Sequence, residues 1–160
     1  MIALSNTAFS HAWLGHRAEA IAALDEHERR FQSNHGRGAL HRSVILALLG
    51  DADGARRAVG TAIATAANGS DVRLHLNQVL ALAVLRCRAG DADGALTYLT
   101  ALEGLPTLGP SYVALRRRFR ATAAAALAPG DDADAMAAGH GLSVDDILHR
   151  EVRPGTDGSS

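Results

Sequence analysis

A glycine that recurs at nearly constant spacing constrains this chain more than any other feature. Leu49-Gly50-Asp51-Ala52-Asp53-Gly54-Ala55 returns forty residues later as Ala89-Gly90-Asp91-Ala92-Asp93-Gly94-Ala95. Fainter copies start at Gly15 and Gly130, each with an alanine five residues on (Ala20, Ala135), so the glycines step by 35, 40 and 40. A fixed period of roughly 20–50 residues marks a stack of small units, none of which can bury its apolar face alone.

The flanking positions decide what each unit is. Eleven residues before the glycines stand Leu4, Ala39, Val79 and Phe119, and seven before stand the uniformly small Ala8, Ser43, Ala83 and Ala123. Five after stand Ala20, Ala55, Ala95 and Ala135, and nine after stand Leu24, Val59 and Leu99. Small residues at crossing points let paired helices approach, and larger ones fill the space between pairs. With 33 Ala and 21 Leu against 8 Val and 5 Ile, the composition favours helix throughout and excludes an all-β fold. Each glycine is then a helix C-cap, followed by an aspartate suited to start the next helix. The pattern predicts helices near residues 2–14, 17–33, 38–49, 52–67, 72–89, 92–103, 111–127 and 132–138. A ninth follows Ser143, which has Asp146 three residues on as a capping box, and its Val144, Ile147 and Leu148 can cover the open end of the stack. Breaks fall at Asn68, Gly69 and Ser70, between Gly104 and Pro110, and at Pro129 and Gly130. Residues 1–152 form one helical domain, and residues 153–160 are expected to be a disordered tail.

A small residue in the first helix, a glycine, an acidic turn and an alanine opening the second helix together resemble the tetratricopeptide repeat family. The resemblance covers about residues 2–138 and implies an all-α, right-handed superhelix of about four helical hairpins plus a short C-terminal capping helix. The chain also looks like the C-terminal sensor or interaction regions of transcriptional regulators from high-GC bacteria (actinobacteria). Its basic residues are 16 arginines with no lysine, as such a genome would favour. In that family the inner groove is lined mainly by the first helix of each pair. Carried over, the lining comprises Ser5 and Phe9, then Arg37, Leu40, His41 and Val44, then Asn77, Leu80, Ala81 and Val84, and finally Arg117, Arg120, Ala121 and Ala124. Of these, Arg37, Leu40, His41, Val44, Asn77, Leu80, Val84, Arg117 and Arg120 are the expected ligand-binding residues. An apolar floor with Arg, His and Asn at intervals suits an extended peptide or amphipathic helix, with an acidic group for the arginines. The expected function is that of a non-enzymatic, protein- or peptide-binding module, the sensor or effector region of a regulator. An oligomerisation or accessory scaffold for an enzyme complex is the alternative, and a metal-dependent enzyme the third reading.

Other chemistries find little support. A net charge of −1 argues against direct nucleic-acid contact or a polybasic membrane surface. No apolar stretch approaches the roughly 20 residues of a membrane span, and no basic-then-apolar leader opens the chain. The single Cys87 forms no internal disulfide and fits a cytoplasmic setting; within an apolar run it reads as a structural thiol. The Asp-Ala-Asp-Gly turns mimic a calcium loop, but Leu49 and Ala89 stand at the first ligand position and Gly60 and Thr100 at the closing one. Neither His11 with His16, nor His35 with His41, nor Asp145 and Asp146 with His149 makes a convincing metal set, so no metal or cofactor is expected. Arg116, Arg117, Arg118 and Arg120 form one basic run, while residues 121–160 carry two Arg against seven acids. The bland reading is a solvated face neutralised by that acidic segment. Because Ile2, Leu4, Phe9 and Trp13 open the chain with no polar cap before them, Phe9 or Trp13 is expected to be exposed, or covered by a second chain in a homodimer or by a missing N-terminal neighbour.

Overall fold

The computed structural model describes residues 2–31, 39–66, 72–103, 105 and 109–152. Among these residues the chain is all-helical, in the order α1 (Ile2–Trp13), α2 (Arg17–Phe31), α3 (Ala39–Leu48), α4 (Ala52–Ala66), α5 (Val72–Arg88), α6 (Ala92–Ala101), α7 (Pro110–Ala125), α8 (Asp131–His140) and α9 (Val144–Val152). The expected helices are all present, with ends shifted by up to about two residues where both ends are described. The break at Asn68, Gly69 and Ser70, and the 153–160 tail, lie outside the described residues.

The glycine turns explain why the helices end where they do. Gly15, Gly50 and Gly90 have φ of 79°, 78° and 83°, a left-handed conformation that a Cβ would penalise. In each turn the next residue reaches back five positions: the N–H groups of His16, Asp51 and Asp91 donate to the carbonyls of His11, Leu46 and Arg86. The glycine N–H groups donate to Ala12, Ala47 and Cys87. Paired bonds of this kind satisfy carbonyls that a helix end leaves without partners. Asp51 and Asp91 then cap the following helix, each accepting the N–H of the residue three on, Gly54 or Gly94, at 2.9 Å. Glycine leaves room for the capping carboxylates, since a Cβ at Gly54 would lie 2.8 Å from the Asp51 carboxylate and one at Gly94 2.6 Å from that of Asp91, and each carboxylate would have to shift.

Packing follows the two periodic sets. Ala8, Ser43, Ala83 and Ala123 are all fully buried, as are Ala20, Ala55 and Ala95, with Ala135 nearly so. The pairs α1–α2, α3–α4 and α5–α6 are in contact, and the first helices of successive units touch as α1–α3, α3–α5 and α5–α7. Arg88 ties neighbouring units together by donating to the Leu48 carbonyl at 2.5 Å.

The fourth unit departs from expectation. Helix A ends two residues before the glycine in the first three units, but α7 ends at Ala125, five residues before Gly130. Pro129 cannot donate a helical N–H, and Gly130, at φ 102°, caps the start of α8 rather than the end of α7. The longer link sends α8 against α6 rather than into an extensive interface with α7. The terminal helix α9 likewise packs on α5 instead of extending the stack, burying Ile147 and Leu148 in the main core.

Candidate functional site

The expected groove is largely filled. Val44, Leu80 and Val84 are fully buried and Asn77 is nearly so, which makes them core residues and not the floor of an open channel. These residues lie on α3 and α5, which pack directly on each other; in addition α9 lies on α5, and Tyr112 of α7 reaches back to both α1 and α3. Arg37 and the side chain of Leu40 lie outside the described residues. Of the rest, His41 is half-buried on α3, Arg117 is exposed on α7, and Arg120 is half-buried and pairs with Glu103.

His41 and α7 belong to one constellation. Its centre is Tyr112, whose ring is 5.5 Å from Phe9 and stacked 5.7 Å from His41. The phenol is hydrogen-bonded to His41 Nδ1, and His27 of α2 meets the other side of the imidazole edge-on at 5.6 Å. Burial raises the Tyr112 phenol well above its ordinary range. It pushes the His41 imidazole down to about 4, with the neighbouring His27 adding to the shift. A neutral phenol facing a neutral imidazole is the natural donor, which places the remaining His41 proton on Nε2.

Phe9 continues this cluster outward to Trp13 at 5.8 Å, and the Arg118 guanidinium stands 4.7 Å above the Trp13 ring. Of the two residues expected to be exposed or covered by a partner, Phe9 is only 8% exposed, and Tyr112 of the same chain packs against it. Trp13 remains half-buried, and Leu14 beside it is 66% exposed. The resulting face presents Trp13, Leu14 and the exposed Arg118, and Arg117, also exposed, precedes Arg118 on α7. Arg117 makes no ion pair among the described residues. Large aromatic and guanidinium groups are the side chains that anchor partners most strongly.

Among the described residues no carboxylate of the acidic end segment pairs with the basic run, where the bland reading had that segment neutralise it. Arg116 donates to the Leu102 carbonyl at 2.8 Å, Arg118 lies on Trp13 and Arg120 pairs with Glu103. The acidic segment serves other ends: Asp146 and Ser143 form the expected reciprocal cap at 3.1 and 3.2 Å, Asp145 lies 3.4 Å from His75, and Glu151 pairs with Arg86. Those bonds from Ser143 hold the Asp146 carboxyl below its usual range. The Asp-Ala-Asp-Gly segments are helix caps. Among the described residues no three His, Cys, Asp or Glu side chains gather as a metal set. Cys87 is half-buried, and burial raises its thiol. An open cleft of about 550 Å³ between α2, α3 and α4 holds Arg17, Arg42 and Arg57, but Arg17 pairs with Asp51, and Arg42 with Asp25 and Glu28.

Sequence reasoning did not single out Tyr112 or the Trp13–Arg118 contact. A usable signal was present: the chain has two tyrosines, and each sits where a distant helix docks, Tyr112 on α1 and α3, and Tyr98 under α9. No family model, curated protein or solved structure matches the chain.

Proposed function

We propose that this chain is a tetratricopeptide-like helical-repeat module, a right-handed stack that binds a protein segment rather than catalysing a reaction. Its binding face is where α1 and α7 meet, and its partner is an acidic peptide or helix with an apolar anchor. In this reading it serves as the sensor or effector region of a bacterial transcriptional regulator. The observation that carries the binding assignment is Arg118 over the half-buried Trp13 ring, with Leu14 exposed beside it. Trp13 and Leu14 supply apolar anchorage, and Arg117 and Arg118 supply charge-assisted donors for carboxylates. Of the arginines expected to bind, Arg120 contributes less, because Glu103 already engages it. The alternative scaffold role would use the same Trp13–Leu14 surface against a second copy.

Selection of displayed peptides on the immobilised chain tests this directly. Enriched sequences are expected to carry Asp or Glu close to Leu or an aromatic residue. Arg117→Ala and Arg118→Ala should each weaken the selected peptide about tenfold, the equivalent of 1.4 kcal/mol, whereas exposed Arg29→Ala on α2 should not. Enrichment without acidic residues, or binding indifferent to Arg117 and Arg118, would remove the assignment.

A further inference from the structure

We propose that the α5–α6 surface beneath the C-terminal helix is a second docking site, that α9 occupies it as an internal ligand, and that a partner's amphipathic helix of the same chemistry displaces α9. That chemistry is two adjacent apolar residues followed by a glutamate three to four positions later. This site is separate from the Trp13 face and does not rest on it.

In α9, Ile147 and Leu148 are buried in the core, while Asp145, Asp146, His149 and Arg150 are exposed. One turn on, Glu151 Oε1 accepts from Arg86 Nε at 3.1 Å, Arg86 Nη2 at 2.5 Å and the Tyr98 hydroxyl at 2.7 Å. At the other end Asp145 lies 3.4 Å from His75. Arg86 and His75 both lie on α5, so the two contacts fix the direction of the bound helix as well as holding it. This is a helix-in-groove arrangement, with apolar anchors for affinity and a carboxylate for register.

The polar side chains of the receptor half also hold one another. Arg86 is also hydrogen-bonded to Asp91, which is itself fixed as the cap of α6, and its guanidinium stacks 4.6 Å above the Tyr98 ring. A cleft of about 550 Å³ remains beside the pair, lined by Gly94, Thr97 and Tyr98 as well as by Glu151. The Arg–Tyr pair belongs to this unit alone: forty residues earlier the repeat places Leu46 and Ala58 at the same positions. Specificity is therefore built into one unit of the stack.

The occupant is built to leave. Nine residues are too few for a stable isolated helix, so α9 is helical because it is docked. Its hold consists of the buried Ile147 and Leu148, the partly buried Val144 packed on the same core, and the Glu151 and Asp145 contacts, and only Gly141, Leu142 and Ser143 join it to α8. Local opening of so small an element costs less than global unfolding, and a competing helix binds with its intrinsic Kd divided by the fraction of open molecules.

The test is an anisotropy titration of a fluorescent peptide with the sequence of residues 142–152. It is run against the wild-type chain and a full-length Ile147→Ser, Leu148→Ser variant whose own α9 cannot seat. The peptide should bind the variant at least tenfold more tightly than wild type. A peptide carrying Glu151→Gln should bind the variant about tenfold more weakly, and Tyr98→Phe in the variant should weaken binding severalfold. No binding to a variant that keeps its helical circular dichroism, equal binding of both peptides, or a dimer held by exchanged α9 would each overturn the proposal. Should the double substitution unfold the chain, hydrogen exchange of full-length Glu151→Gln decides. Exchange at least tenfold faster in α9 with α5 unchanged supports a separable occupant; α5 and α9 exchanging together contradicts it.

Discussion

Replacing Gly139 with leucine is expected to cost about 3 kcal/mol, the upper part of the range for overpacking a tight site. Gly139 lies in the middle of the α6–α8 crossing, where even a Cβ would stand 2.4 Å from the Thr97 carbonyl oxygen and 2.7 Å from Thr100 Cβ. The Thr97 hydroxyl donates to the Ala135 carbonyl at 3.2 Å at the same crossing, so moving the helices apart would also cost this bond. Gly139→Ala should also destabilise, although alanine is the better helix former by about 1 kcal/mol. Gly60 in α4 is the control, because nothing lies within 4 Å of a Cβ built there. Gly60→Ala should therefore stabilise by about 0.5–1 kcal/mol. Urea unfolding of the three variants measures all of these; opposite signs for the two alanine substitutions are the decisive feature.

Acidification is expected to destabilise the chain through His41. Its folded-state value of about 4 lies below the ordinary 6.5, so the unfolded chain takes up a proton first as pH falls. The full contribution is present above pH 6.5 and is lost progressively towards pH 4. The shift corresponds to about 3 kcal/mol if wholly expressed. His27, lowered by burial with Glu28 opposing, acts in the same direction. The other groups around His41 are the Tyr112 phenol, which stays neutral over this range, and Arg42, held by Glu28 and Asp25. Unfolding free energies measured from pH 7 to pH 4.5 should fall more steeply for wild type than for His41→Phe. Parallel curves would mean that the imidazole is solvated and that Tyr112 does not cover it.

What could be read in the sequence was whatever is local or strictly periodic. Gly50 and Asp51 declare a helix end and a helix start within two residues, and the structure realises both through bonds that span at most five positions. The burial of Ala83 and Ala123 followed from register alone. The locations of α8 and α9 did not follow, because they depend on how a chain leaves the repeat. Gly130 keeps the period, but α7 stops five residues before it, ahead of Pro129, so the glycine no longer closes that helix and α8 packs on α6. The groove residues were misplaced for a related reason. Resemblance supplied an open concave face, whereas Val44, Leu80 and Val84 are fully buried in the main core, to which α9 also adds. Periodicity identifies which residues share a face but not which later segment covers them.

The central claim is that the repeat brings α7 back onto α1 and α3, assembling the Phe9–His41–Tyr112 cluster behind the Trp13 face. Nuclear Overhauser contacts from the Tyr112 ring protons test it most directly, since residues 9 and 112 are far apart in sequence. Cross-peaks to the rings of both Phe9 and His41 are expected, from centroid separations of 5.5 and 5.7 Å. A Tyr112 ring with contacts confined to α6 and α7, and none to Phe9 or His41, would contradict the account.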